Sequence, residues 1–174
     1  MAADTDQVHM QIALEEAKVS LNEGQFPVGA VVVAKGEIVG RGRRHVGGNA
    51  KMDHAEISAL RKALSIDPTG GNSLTLYTTL EPCAMCFGAV LNTRIARVVY
   101  ALEDPYGGMT AFPREELPLR HQNEFPDIQK GIYRDASREL FKHFFQTTEN
   151  SFWSTHPENP LVQLCLKALP KRVG

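Results

Sequence analysis

Long apolar runs are missing from this 174-residue chain: nothing approaches the roughly 20 consecutive apolar residues that a helical membrane span requires. Its first residues lack the basic-then-apolar pattern of a secretory signal, so a cytoplasmic protein without membrane association is expected. Charge of one sign is missing too. Lys and Arg number 19 against 20 Asp and Glu, and the formal net charge of −1 gives no global field toward nucleic acid or membranes. Cysteine is sparse. Three residues leave no disulfide framework and suit a reducing compartment. There is no internal repeat. The remaining balance, 43% hydrophobic and 22% charged, is that of a soluble globular protein, and the length suits a single body with a sizeable core.

What cysteine there is falls into a pattern. Asp53-His54-Ala55-Glu56 and Glu81-Pro82-Cys83-Ala84-Met85-Cys86 together offer an imidazole, two thiols and a spare carboxylate. Catalytic zinc takes three protein ligands and keeps a position for water. His54, Cys83 and Cys86 supply the three, for one ion per chain, and Glu56 is left to handle protons. Ile57, Leu60 and Leu64 predict a helix over 54–65, with His54 and Glu56 at its start. Residues two apart diverge by about 200° around a helix, so this pair serves one ion only from the helix end. Cys83 and Cys86 share a face of a second predicted helix over 83–92, with Pro82 suited to its first turn. Both N-termini then aim partial positive charge at the site and favour thiolates.

A structural zinc would recruit a fourth Cys or His nearby. Cys165 lies far downstream in an apolar run and reads as core. Each half of the pattern is weak alone. A histidine at a helix start is commonly a cap or a packed residue, and Pro-Cys-x-x-Cys also suits half a zinc ribbon or a redox pair. Joined, with one strand between them, the halves form a strong signal.

Along the chain, Met10, Leu14, Ala17 and Leu21 form a stripe that predicts a helix over 5–22, with Ile12 and Val19 flanking it. Strands over 28–34 and 37–40 flank Lys35-Gly36, a tight hairpin turn. The Arg- and Gly-rich 41–53 segment reads as a loop, and 67–73 as turn-rich. Strands are expected at 74–79, 97–101 and 128–132. Further helices are expected over 134–145, with Leu140, Phe141, Phe144 and Phe145 buried, and over 160–169. Residues 103–127 show no period, and a loop this long usually has a function. It reads either as a surface excursion or as a wall over the pocket that supplies an aromatic for stacking. Strands alternating with helices imply an α/β sheet covered on both faces.

His54-Ala55-Glu56 with Pro82-Cys83-Ala84-Met85-Cys86 resembles the cytidine deaminase superfamily of zinc nucleobase deaminases. The likeness runs from about Phe26 to Phe145 and includes Pro27–Val33, Thr75–Glu81 and Thr93–Tyr100. It looks most like the branch that holds tRNA adenosine deaminases, guanine deaminases and fungal-type cytosine deaminases. The resemblance implies a three-layer α-β-α sandwich around a five-stranded mixed sheet. It implies a zinc deaminase domain over 1–150, followed by a helical extension over 151–174 packed on the same domain or on a partner subunit. It also implies a homodimer. Phe26 and Val28 are expected at the pocket wall, the backbone N–H of Ala55 on the base, and Asp104 at the substrate mouth, although Asp104 also suits a turn before Pro105.

The departures bear on substrate. Relatives place an asparagine after the second strand to hydrogen-bond the base. Here Arg44, or Arg43 in the adjacent register, takes that place, either as a phosphate or carbonyl donor or as a solvated loop charge. Asn49 substitutes only if the loop reorganises. A Gly-Ala-Gly-Ser-like run typical of tRNA editors is replaced by Pro105-Tyr106-Gly107-Gly108-Met109-Thr110. The expected activity is hydrolytic deamination of an amino-substituted base: zinc activates water, and Glu56 takes its proton and returns it to a ring nitrogen and the departing ammonia. A small nucleobase, nucleoside or nucleotide is favoured over tRNA, against which Lys167, Lys171 and Arg172 are the main counter-argument. The alternatives are a tRNA adenosine deaminase, a non-catalytic zinc domain that binds nucleotides, and a redox protein. The last two have no need of Glu56.

Overall fold

The computed structural model describes residues 2–47, 51–66, 73–148 and 152–167; Asn49, the 67–72 segment, Lys171 and Arg172 lie outside them. The valine-rich strand β1 (Gly29–Ala34) and β2 (Glu37–Arg43) form the expected hairpin. Lys35 (φ 49°) and Gly36 (φ 87°) both take positive φ, as a two-residue turn of the primed type requires. Along β1 the side chains alternate. Ala30 and Val32 join one core cluster, and Val31 and Val33 join the other. With β3 (Leu74–Leu80), β4 (Arg97–Leu102) and β5 (Asp127–Lys130), the strands order as β2-β1-β3-β4-β5. The β1 pairings are antiparallel, and β3, β4 and β5 run parallel. The sheet is therefore mixed and five-stranded, as expected.

β2 runs on to Arg43, where the Gly and Arg content predicts a loop from residue 41. The glycines serve packing here. Helix α2 (Ala55–Ile66) lies directly on this strand, and a Cβ on Gly42 would sit 1.9 Å from the Ala55 carbonyl oxygen. A Cβ on Gly40 would sit 2.2 Å from the carbonyl oxygen of Ala59. This close approach sets the height of the α2 N-terminus, and with it His54 and Glu56, above the sheet. Helix α3 (Ala84–Thr93) shares that face with α2.

Helix α1 (Ala2–Asn22) covers the other face and begins earlier than the 5–22 reading. Asp6 anchors it, accepting from Arg97 at 2.7 and 2.9 Å and from the Tyr77 hydroxyl at 2.8 Å. The Arg97 hydrogen bonds hold the Asp6 carboxyl below the usual range. Met10, Ala13, Leu14 and Ala17 are buried, whereas Val19, read as flanking the stripe, is exposed.

The 103–127 stretch is not wholly irregular. It holds a 3₁₀ turn at Arg114–Glu116 and the short helix α4 (Leu119–Asn123). Pro113 and Pro118 occupy their N-cap positions. Elements this short leave no period, so the prolines obscure in sequence what they start in the fold. β5 spans 127–130 and not 128–132, because Gly131 (φ 90°) and Tyr133 (φ 57°) turn the chain away.

Helix α5 (Arg134–Thr147) lies against α1, β3 and β4, and Ser137 Oγ donates to the Thr79 carbonyl at 2.6 Å. Phe141 and Phe144 are buried as expected, with Leu140 and Phe145 half-buried. After the short helix α6 (Phe152–Thr155), α7 (Pro160–Leu166) packs on α5. The buried Arg138 guanidinium caps α7 by donating to the carbonyls of Leu164 and Lys167. Leu161 and Cys165 belong to the same core cluster as Phe141, so Cys165 is a packing residue. No helix among the described residues is long and apolar enough to cross a membrane.

Candidate active site and metal centre

His54 is the residue before α2, and its carbonyl accepts the Ser58 N–H at 3.0 Å. Glu56 is the second helical residue and is only 4% exposed. Cys83 is the N-cap of α3, and Cys86 lies one turn further on, fully buried. Pro82, read as part of the first turn, stands outside the helix. Both helices thus begin at one place, where two residues separated by a single helical position can face the same point.

The His54 Nδ1 atom is 3.5 Å from Cys83 Sγ and 3.4 Å from Cys86 Sγ, and the three donor atoms lie within 4.8 Å of one another. Atoms bonded tetrahedrally to zinc at about 2.0–2.3 Å stand roughly 3.5–3.8 Å apart, so the triad has the span that zinc needs. Its chemistry fits as well. A hydrogen bond from the Cys86 thiol, the largest cause, brings the Cys83 thiol down to about 4, and the same bond pushes Cys86 up. A divalent cation would take both sulfurs as thiolates, so its binding would release protons. His54 is raised, chiefly by its hydrogen bond with Cys83. Burial is the main cause that raises the Glu56 carboxyl.

A cavity of about 340 Å³ opens over these groups. His54, Ala55, Glu56 and Cys83 are among its lining residues. Phe26, Val28, Arg44 and Asp104, the residues that sequence reasoning put beside the substrate, all line the same cavity. So does Tyr106, the aromatic of the Pro105–Thr110 turn. Asp104 also serves the turn, for its Oδ1 accepts the Tyr106 N–H at 3.0 Å. Burial raises its carboxyl above the usual range.

Two contributors escaped the sequence reading. Trp153, the only tryptophan in the chain, lines the cavity and stacks on Phe26 with ring centroids 4.8 Å apart and planes 6° from parallel. Glu81, buried at 8% exposure, clamps the turn that carries Asp104 and Tyr106. Its Oε2 accepts the Asp104 N–H at 3.1 Å, and its Oε1 accepts the Thr110 N–H and hydroxyl at 3.1 and 2.5 Å. A Cβ on Gly108 would lie 2.4 Å from that carboxylate, which accounts for glycine there. Glu81 stands directly before Pro82-Cys83, and that adjacency was the available signal.

Glu81→Gln exchanges one acceptor for a donor that faces a backbone N–H. It is expected to cost about 1–3 kcal/mol in urea unfolding and to raise KM more than it lowers kcat, as Asp104 and Tyr106 lose their placement. An unchanged unfolding midpoint would mean that the turn is held by something else.

The family model for the cytidine and deoxycytidylate deaminase zinc-binding region matches residues 3–102. The chain belongs to this deaminase family. A tRNA-specific adenosine deaminase of Bacillus subtilis (strain 168) is 32% identical over 143 residues, covering 81% of this chain and 89% of that protein. A structure from a study of A-to-I editing by tRNA deaminases at the wobble position matches at 32% identity with a TM-score of 0.65, over 76% of this chain and 97% of that one. A mutant of the protein NE0047 in complex with 8-azaguanine matches at 26% identity with a TM-score of 0.66, over 80% and 84% of the two chains. This deaminase is thus a zinc-dependent hydrolase of nucleobase or nucleoside amines, with His54, Cys83 and Cys86 positioned to bind the ion.

Proposed function

We propose that the enzyme hydrolyses the exocyclic amine of a base presented as free base, nucleoside or mononucleotide, and releases ammonia. The observation that carries this reading is a buried carboxylate, Glu56, that lines a small, largely apolar cavity beside a zinc-type donor triad. A zinc ion held by His54, Cys83 and Cys86 would supply a water acidified to about pKa 7. Glu56 takes the proton of the attacking water as the C–O bond forms. It passes that proton to the ring nitrogen, then takes the second proton from the hydroxyl so formed and delivers it to the amine as the C–N bond breaks, leaving a ring carbonyl and ammonia. The Ala55 N–H, one of the first-turn amides that lack a helical partner, holds the base. Phe26, Val28 and Trp153 exclude water around the ring, and Asp104 sits at the mouth.

The size of the site supports a small substrate. Its volume of about 340 Å³ is near the lower end of the roughly 300–1,000 Å³ of small-molecule pockets. Two of the nearby arginines are already engaged: Arg43 pairs with Glu16 at 3.2 Å and Glu23 at 3.7 Å, and Arg41 lies 3.9 Å from Glu16. A second reading, adenosine in tRNA, is favoured by the activity named for the Bacillus subtilis relative. The three cysteines are unpaired, which supports a reducing, cytoplasmic setting, and the homodimer implied by the resemblance belongs to the same proposal.

An ammonia-release screen over bases, nucleosides, nucleotides and tRNA separates the readings. A small substrate is expected to turn over faster than a tRNA anticodon arm, with little dependence on salt. Each phosphate neutralised adds about 0.7–0.9 to the salt slope of log affinity. Efficient inosine formation in tRNA that collapses between low and physiological salt would replace this reading with the second.

A further inference from the structure

Among the described residues, Arg44 is the only lysine or arginine that lines the cavity beside His54, Glu56 and Cys83. Its backbone is fixed, since Ser20 Oγ donates to the Arg44 carbonyl at 2.9 Å. Among the described residues its half-buried guanidinium makes one hydrogen bond, from Nη1 to the Asp53 carbonyl at 3.5 Å, the outer limit for such a contact. Among the described residues no carboxylate pairs with it, although Arg41 and Arg43, at the end of β2 just before it, both pair with Glu16. Burial depresses its basicity, and Glu56 and Asp53 offset this only through space. A guanidinium has five N–H donors in a planar fork. Among the described residues nearly all of this one's donors lack a partner, and the group is partly stripped of water at the wall of the cavity. A ligand oxygen would restore what burial removes, since hydrogen bonds to a charged partner are the strong ones.

We propose that Arg44 is a specificity-determining residue that binds an oxygen acceptor of the substrate, either a ring carbonyl of an amino-oxo base or the phosphate of a mononucleotide. This inference rests on the deaminase reading above and narrows it. Adenine and adenosine carry neither group, so they are poor substrates unless phosphorylated. Guanine and cytosine carry the carbonyl as free bases.

The test uses matched pairs on the zinc-loaded full chain: guanine with 2-aminopurine, cytosine with 4-aminopyrimidine, and adenosine 5′-monophosphate with adenosine. Steady-state kinetics are measured in the native protein, in Arg44→Gln and in Arg44→Lys. Calorimetric binding of the same compounds to Glu56→Gln, with and without Arg44→Gln, reads recognition without turnover. The oxygen-bearing member of at least one pair is expected to win by about 10–100-fold, the range set by one hydrogen bond to a charged group. Arg44→Gln should erase that gap through KM with zinc content unchanged, and Arg44→Lys should restore part of it. The pair that shows the gap identifies the acceptor as carbonyl or phosphate. Equal binding in all three pairs, or a gap that survives Arg44→Gln, overturns the proposal. Binding gaps that depend on Arg44, without ammonia release from any compound, would sustain Arg44's role and strike the deaminase reading instead.

Discussion

Glu56→Gln is expected to keep both zinc and fold while turnover falls by at least about 10²–10⁴-fold, the range for loss of a general acid–base group. Glutamine matches the shape of this buried side chain and leaves the ligands His54, Cys83 and Cys86 untouched. It cannot accept a proton. One carboxylate serves both the attacking water and the leaving amine, so the loss falls on kcat and can exceed that range. Metal analysis and circular dichroism establish that the variant is otherwise intact, and single-turnover ammonia release reads the chemistry. A variant that retains a third of native turnover would show that another group moves the protons.

The second large effect concerns the metal. Cys83→Ala or Cys86→Ala is expected to reduce zinc from about one ion per chain to a small residue, because two remaining protein donors hold the ion poorly. The loss should also loosen the junction of α2 and α3, whose N-terminal ends meet at this site. Cys165→Ala serves as the control. That thiol lies in the core beside α5, burial pushes it up to about 12, and its removal should cost packing without costing zinc. Full occupancy in both Cys83 and Cys86 variants would refute the ligand assignment.

These two predictions rest on residues that were legible before any coordinates, and the reason is local. His54 and Glu56 sit two apart at a helix start, and Cys83 and Cys86 three apart on one turn, so short-range geometry alone brings each half to a helix end. The alternation of β1 and the period of α1 were equally readable. What stayed hidden depends on contacts between distant segments. Gly40 and Gly42 look like loop residues until α2 is laid over them, and only then does their lack of a side chain become a packing requirement. Glu81 reads as a prefix to the cysteine motif, yet its carboxylate holds a turn more than twenty residues further along the chain. Trp153 lies in a segment assigned to a C-terminal extension, and nothing local connects it with Phe26. The apolar wall of the pocket is therefore the part least visible in sequence, and the metal centre the most.

The most direct measurement of the central claim is ammonia release before and after removal of the metal from the native chain. Protein stripped by a chelator should release no ammonia from the bases, nucleosides and nucleotides that the zinc-loaded form deaminates. Returning one equivalent of Zn²⁺ should restore the rate, with one ammonia formed per substrate consumed. Stripped protein that turns over at the native rate, or zinc-loaded protein that releases no ammonia from any base, nucleoside, nucleotide or tRNA, would contradict the account.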